Sequence, residues 1–451
     1  MSGRLFPSSE LYLGRSAMYK PIALLAMTAL LCNCSAPFRA KEESLAGRWE
    51  GVAEVPGHKT QAVIDFFVSG SENKTLSATI SLPAERLLGK SLVNVRYLPP
   101  RLHFELQATE QRIFFDGVRN GDTMDGAVHG GNLEGPFSFR RTGNVPRTPY
   151  SQEEVRFRNG DVTLAGTLLI PPNRGRHPAV ILIHGSSTPS RNDFRFYGDV
   201  FARRGVAALI YDKRDAGGDL GGASRVDMRD LAGDALAAVE MLKARSDINP
   251  RQIGLWGHSQ GGWVAPIAAA QSKDVAFVIS FSGPGVTYAE LNTYADGKRL
   301  RSRGFSEAEI EQARRAQSRV DDYVRRGGDK QALQKFLDEV WRKPWASHTT
   351  LPRQVPSEGE IQANLQWRNL DLDPAVYWEQ IQAPVLAMFG ELDDVVPVAA
   401  SASRIAEALR RGGNKDVTIR IFPKASHTIQ PAPDFLDSMT NWTLQRVTVV
   451  K

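Results

Sequence analysis

From residue 45 to about 142 the apolar residues come in short alternating or β-branched runs: Ala62-Val63-Ile64-Asp65-Phe66-Phe67-Val68, Leu76-Ser77-Ala78-Thr79-Ile80, Leu102-His103-Phe104-Glu105-Leu106 and Ile113-Phe114-Phe115. A period of two puts alternate side chains on one face of a strand. Stretches with turn chemistry, such as Val118-Arg119-Asn120-Gly121-Asp122, separate the runs. The pattern predicts a β-rich domain over residues 41–145, an antiparallel sandwich or a small barrel. Thr142-Gly143-Asn144-Val145-Pro146-Arg147-Thr148-Pro149 reads as the linker that ends it.

Beyond residue 150 the pattern changes. Val155-Arg156-Phe157-Arg158 and the run Val162–Ile170 flank Asn159-Gly160-Asp161 and predict a hairpin. Continuous apolar runs follow at Ala179–Ile183, Val206–Ile210, Ile253–Trp256, Val275–Phe281, Val385–Phe389 and Val417–Ile421, and amphipathic helical patterns lie at Asp227–Lys243 and Phe435–Val447. Strands apolar on both faces, alternating with helices, predict a mainly parallel sheet covered on both sides. The expected fold class is therefore α/β over residues 150–451, preceded by a small all-β domain. Residues 288–378 interrupt the alternation. Ser306-Glu307-Ala308-Glu309 is a capping box, and Leu333, Phe336, Leu337, Val340 and Trp341 recur at helical spacing. Four of the eight tryptophans, Trp341, Trp345, Trp367 and Trp378, fall here. The segment reads as a helical cap over the strand ends, its aromatics forming the cap's own core.

A chain of 451 residues with 42% hydrophobic and 24% charged positions is long enough for two folded domains and excludes wholesale disorder. The net charge is +6, but residues 1–40 carry Arg4, Arg15, Lys20 and Arg39 against Glu10, which leaves only +3 for the rest. Those remaining charges are interspersed, so nucleic acid is not an expected partner. Residues 1–40 have the form of a signal peptide: the uncharged run Pro21–Leu31 follows Lys20 and is too short to span a bilayer. Met18 offers an alternative start. Two processing routes fit, cleavage after Ala36 or Ala40, or a lipoprotein signal with Leu31-Cys32-Asn33-Cys34 and a lipid on Cys34, in which Asn33 stands where a small residue is usual. The expected location is the periplasm or the medium, with any membrane attachment through Cys34. Cys32 and Cys34 are the chain's two cysteines, so a mature protein cleaved beyond them has no disulfide, thiolate–metal site or cysteine nucleophile.

The chemistry centres on Gly257-His258-Ser259-Gln260-Gly261. With 39 glycines in the chain the pentapeptide alone says little. Its setting says more. It lies between an apolar strand run and the small-residue helix run Gly262–Ala270, the arrangement that lifts a serine hydroxyl above a sheet edge on a strained turn. A serine hydroxyl needs a base, most often a histidine oriented by a carboxylate. Downstream, Val385–Phe389 runs into Gly390-Glu391-Leu392-Asp393-Asp394-Val395-Val396-Pro397, and Val417–Ile421 runs into Phe422-Pro423-Lys424-Ala425-Ser426-His427. Ser259, Asp393 and His427 would each follow the carboxyl end of a parallel strand, where open α/β sheets hold ligands. Asp394 and Glu391 compete for the acid's place, and the spacing Gly-x-x-Asp-x-x-Val-Pro favours Asp393. Of the other histidines, His184 is expected to order its loop, His258 to pack, and His348 to belong to the cap. Two backbone N–H groups should form an oxyanion hole, one from Gln260 and one from Ser186 in Leu182-Ile183-His184-Gly185-Ser186-Ser187. No cofactor and no metal is expected.

These residues, with Tyr211-Asp212-Lys213-Arg214, give the chain a resemblance to the α/β-hydrolase superfamily, specifically to bacterial serine esterases related to dienelactone hydrolases and S9-type peptidases. The resemblance covers residues 150–451. It implies an α/β-hydrolase fold, a Ser259–His427–Asp393 triad and a small-molecule ester as substrate, and some members carry an N-terminal β domain. Two departures stand out: Asp215 follows the Tyr-Asp-Lys-Arg run where glycine is frequent, and Ser187 occupies another common glycine position. Gly47-Arg48-Trp49 is similar to the Gly-x-Trp near the start of lipocalin-like barrels, with Trp49 expected to plug a β core. The leading expectation is an exported carboxylic-ester hydrolase. An S9-like peptidase or amidase is the alternative, although the β domain shows no propeller-blade repeat. A thioesterase and a ligand-binding pseudo-hydrolase complete the set.

Overall fold

The computed structural model describes residues 44–447 apart from 56–57, 71–74, 108–110, 132, 187–189 and 215–225. The N-terminal apolar run, Cys32, Cys34, Ser187 and Asp215 lie outside the described residues. The region from Leu45 onward clusters as one compact unit. Among the described residues no helix is long and apolar enough to cross a membrane.

The first sheet is an antiparallel meander: β1 (Gly47–Val55), β2 (His58–Ser69), β3 (Thr75–Leu82), β4 (Leu87–Ser91), β5 (Val93–Leu98), β6 (Arg101–Gln107), β7 (Arg112–Asn120), β8 (Thr123–Gly130) and β9 (Leu133–Gly143). Its order is β4-β3-β2-β1-β9-β8-β7-β6-β5. Only Leu92 separates β4 from β5, and its amide donates to the Ala78 carbonyl of β3 at 2.9 Å. One nearly continuous segment therefore pairs with β3 along its first half and with β6 along its second, which joins the two edges and closes a barrel. Counting that segment once gives eight strands, a size whose interior side chains can just fill. They do so here with Phe66, Phe104, Phe115, Phe137 and Phe139, the Phe104 and Phe115 rings stacking at 4.8 Å. Trp49 is fully buried in this core. Its Nε1–H donates to the Leu45 carbonyl at 3.0 Å, and the Arg119 guanidinium lies 5.5 Å from its ring centroid. Of the two expected architectures, sandwich and barrel, the chain adopts the barrel, because β4 and β5 bridge what would otherwise be two open edges.

The second sheet comprises β10 (Ser151–Asn159), β11 (Val162–Ile170), β12 (His177–Ile183), β13 (Ala207–Tyr211), β14 (Ile248–His258), β15 (Phe277–Phe281), β16 (Val385–Gly390) and β17 (Val417–Phe422). The order is β10-β11-β13-β12-β14-β15-β16-β17. The first three strands pair antiparallel, and every pair from β13–β12 onward is parallel. Each central strand is buried on both faces, and its alternation splits it between two cores. Ala179, Ile181 and Ile183 join Leu231, Val239, Trp263 and Ile405 from helices Met228–Lys243, Gly261–Gln271 and Val398–Arg411. Val180 and Leu182 face Phe201, Phe435 and Trp442 from helices Arg195–Arg203 and Phe435–Val447. Burial thus explains why these strands read as unbroken apolar runs.

Between β15 and β16 the chain forms helices Tyr288–Ser302, Glu307–Arg326 and Lys330–Val340, followed by shorter turns up to Trp378. The Ser306 capping box is present, with its Oγ accepting from the Glu309 amide. This cap has its own apolar cluster, including Leu300, Ile310, Val320, Leu337 and Trp345. Trp378 departs from the expectation: it is fully buried in the core under the parallel sheet.

The closed barrel leaves no room to compensate for a lost ring at its end. Trp49→Ala should destabilise it by about 3–5 kcal/mol, read as an earlier urea transition of the far-ultraviolet circular dichroism. A transition unmoved by this substitution would show that Trp49 does not plug the core.

Candidate active site

Strand β14 and the helix Gly261–Gln271 pass so closely that a Cβ at position 257 would lie 2.1 Å from the Gly261 carbonyl oxygen. A Cβ at position 261 would come within 2.6 Å of the Ile183 carbonyl oxygen of β12. Only glycine fits either place. The turn between them holds Ser259 at φ 52°, a left-handed conformation unusual for a residue with a side chain. The turn is pinned by the Ser259 amide donating to the Phe281 carbonyl at 2.9 Å and by Gly262 N–H donating back to the Ser259 carbonyl at 2.8 Å. Helix Gly261–Gln271 begins directly behind, so its positive dipole end lies beside the serine.

Asp393 follows β16 and is fully buried. Its Oδ1 accepts from the amides of Val395 and Val396, each at 2.8 Å, and its Oδ2 lies 2.7 Å from His427 Nδ1. A carboxylate can only accept, so the imidazole proton sits on Nδ1 and the Nε2 lone pair is left free. Asp394 and Glu391 are exposed, and Glu391 accepts from the Lys424 amide at 2.9 Å. The structure thus pairs His427 with Asp393 and with neither competitor. The loops after β16 and β17 are stitched together by Leu392 N–H to Ala425 O at 2.8 Å and Glu391 N–H to Phe422 O at 2.9 Å. The His427 ring lies 5.4 Å, centroid to centroid, from that of His258, the residue before Ser259. Among the described residues no hydrogen bond joins Ser259 Oγ to His427.

The remaining expected residues fall around this group. Gln260 is buried at the start of the helix, and its backbone N–H has no acceptor among the described residues. Ser186 is exposed, just past β12. His184 is buried and donates from Nε2 to the Tyr211 carbonyl; burial, with Lys213 nearby, pushes its pKa down to about 3, so it stays neutral. His258 packs among Phe194, Trp256 and Phe281, and burial, reinforced by His427, likewise pushes it down to about 3. Both behave as structural side chains.

The run Tyr211-Asp212-Lys213-Arg214 acquires a physical meaning that the sequence withheld. Tyr211 offers its carbonyl to His184. Asp212 accepts from Arg191 Nε at 3.0 Å and from its Nη2 at 2.6 Å. Arg214 donates from Nε at 2.7 Å to Asp234, a carboxylate buried on helix Met228–Lys243. Lys213 reaches inward: its Nζ donates to Gln260 Oε1 at 2.6 Å and to the Gly185 carbonyl at 3.2 Å. Burial lowers the Lys213 pKa to about 8. One cation therefore ties the loop after β12 to the residue after Ser259. The Gln260 amide group completes the chain by donating from Nε2 to Tyr288 Oη at 3.1 Å. A second cap tyrosine, Tyr294, donates to the Asp393 carbonyl at 2.8 Å. The first cap helix is thus bonded to both the elbow and the acid loop. Lys213 enters the sequence reading only within the Tyr-Asp-Lys-Arg run, with no role of its own, and neither tyrosine could be singled out, since each acts through a fold contact.

A stretch of 138 residues is 28% identical to the quorum-quenching protein AidA of Acinetobacter baumannii, covering 30% of this chain and 44% of that protein. A stretch of 153 residues is 28% identical to the esterase EstD of Thermotoga maritima, covering 32% and 37%. A third, of 129 residues, is 33% identical to the thiohydrolase aneE of Aspergillus aculeatus, covering 28% and 40%. The chain spans less than half the length of each of these curated relatives. Among solved structures, the dienelactone hydrolase of Anabaena variabilis superposes with a TM-score of 0.40 at 18% identity, over 66% of this chain and 98% of that one. The model of the alpha/beta hydrolase family matches residues 180–437, more than half of the sequence. The chain belongs to the alpha/beta hydrolase family.

Proposed function

We propose that the protein is an exported serine hydrolase that cleaves carboxylic esters through an acyl-enzyme on Ser259. The observation that carries this reading is the Asp393–His427 hydrogen bond of 2.7 Å beside a serine held at φ 52° on a strand–helix elbow. His427 Nε2 accepts the Ser259 Oγ proton as Oγ attacks the acyl carbon. Asp393 fixes the Nδ1–H tautomer and stabilises the imidazolium that forms. The tetrahedral oxyanion is met by the amides of Gln260 and Ser186 and by the helix end behind Ser259. Collapse breaks the ester C–O bond, and the departing alcohol takes the proton from His427. Water then surrenders a proton to His427 and attacks the acyl-enzyme, releasing the acid and restoring Ser259 Oγ–H. Export rests on the uncharged run Pro21–Leu31 behind Lys20.

A second reading is thioester cleavage, which uses the same acyl-enzyme and is favoured by the thiohydrolase among the relatives. The leaving group separates the two. Turnover of p-nitrophenyl acetate and butyrate should exceed that of the matching acyl thiocholines, and faster thioester turnover would replace the ester reading. A fluorophosphonate probe should label the wild-type protein and leave Ser259→Ala unlabelled. The same substitution should lower kcat by roughly 10⁴–10⁶-fold. A folded wild-type protein that takes no label would remove the serine-hydrolase reading altogether.

Lys213 gives the reading a pH signature. Its pKa of about 8 lies below the ordinary lysine range. From that pH up to the ordinary range the folded chain binds fewer protons than the unfolded one, so stability rises with pH across that window. Activity moves the opposite way, because the ammonium that bridges Gly185 and Gln260 is lost. The kcat profile should fall above about pH 8, a position set by Lys213. Lys213→Met should flatten that limb and lower the plateau about ten- to hundredfold. A variant that keeps the wild-type alkaline limb would detach Lys213 from the oxyanion loop.

A further inference from the structure

We propose that Arg86, on the barrel, is a positioning residue for His427, which makes the β domain part of the catalytic apparatus. The inference rests on the Ser259–His427–Asp393 reading given above. Arg86 closes a tight turn at the β3–β4 corner, where its backbone adopts φ 52° and its amide donates to the Pro83 carbonyl at 3.1 Å. That turn aims the side chain out of the barrel. Its Nη1 donates to the Thr428 carbonyl at 2.7 Å and its Nη2 to the Ile429 carbonyl at 2.9 Å. These are the two residues directly after His427.

The same loop is held from its other side by the parallel sheet. Ser282, buried just past β15 at φ 47°, donates from Oγ to the His427 carbonyl at 2.7 Å. Three consecutive carbonyls, those of 427, 428 and 429, are thus occupied by side chains from two different domains. The contact is reciprocal, since Gln430 Nε2 donates to the Ala84 carbonyl of the barrel corner at 2.9 Å. The guanidinium also lies 4.7 Å from the Phe435 ring centroid, at the start of the helix that follows the loop. The loop needs such support because Ile429 sits at φ 52°, a left-handed conformation unfavourable for a β-branched residue. A planar fork can satisfy two carbonyls at fixed separation, whereas an ammonium is a single point donor.

Loss of the fork would let the His427 loop relax and move the imidazole relative to Ser259, a displacement felt in the chemical step more than in binding. Arg86→Met should lower kcat roughly ten- to hundredfold with KM little changed, and should slow fluorophosphonate labelling by a similar factor while leaving its final stoichiometry intact. Arg86→Lys should recover part of the loss. Rates are compared well below each variant's own melting temperature, so that unfolded protein does not contribute. A variant with wild-type kcat and a lowered melting temperature would overturn the proposal, leaving Arg86 as domain glue. If Arg86→Met does not fold, Arg86→Lys carries the test, and wild-type kcat in it overturns the proposal equally. Failure of the triad reading looks different: the wild-type protein itself would take no label.

Discussion

A carboxylate without exposed surface imposes more on this structure than any other group. Asp393 is fully buried at the end of β16, and an isolated ionised carboxylate there would cost several kcal/mol. Three donors offset that cost: the amides of Val395 and Val396 and the Nδ1–H of His427. The two amides can reach Oδ1 only if the chain reverses sharply after Asp393. The imidazole can reach Oδ2 only if the next loop lies against that reversal, which the β16–β17 loop stitches ensure. Satisfying one buried charge therefore fixes two loops and the tautomer of the histidine, and it leaves Nε2 available beside the elbow.

The same dependence explains what can be read from the residues alone. Fully apolar strands and capped helices declare themselves because burial on both faces leaves no polar position to confuse the period. Asp393 stands out over Asp394 because the spacing to Val396 and Pro397 is the imprint of the turn that feeds amides to its carboxylate. Barrel closure is less legible: it depends on Leu92 joining β4 to β5 and donating to Ala78, a pairing that no local pattern announces. The contacts of Lys213, which the sequence offers only as part of the Tyr-Asp-Lys-Arg run, and those of Arg86 are hidden for a related reason. Arg86 meets its acceptor across 342 positions of sequence, and an arginine in a surface turn looks like any other. Trp378 lies under the sheet and not in the cap's core, because sequence spacing reports which residues share a face but says nothing about which core that face meets.

The cap and the barrel hold the site from different directions. Tyr288 and Tyr294 descend from the first cap helix onto Gln260 and onto the backbone of Asp393. Arg86 approaches from the barrel onto the carbonyls that follow His427. The cap therefore touches the elbow and the Asp393 loop, while the barrel touches the loop that carries His427. A hydrogen bond to a backbone carbonyl constrains a loop without competing for the imidazole's own donors and acceptors, so Tyr294 and Arg86 can stiffen the loops of Asp393 and His427 without occupying either side chain.

Lys213 shows the price of such stiffening. A buried ammonium with two acceptors is a poor contributor to stability, and its lowered pKa reflects the desolvation it suffers. A neutral side chain of similar length would pack there with less penalty. It could not, however, draw the Gly185 carbonyl and the Gln260 amide group to one point from opposite sides of the elbow. Ser259 at φ 52° pulls in the same direction, since its strain is tolerated only because the glycines and the Phe281 carbonyl over-determine the turn. Stability is thus lost at two neighbouring places, the Ser259 elbow and the buried ammonium that ties it to the loop after β12.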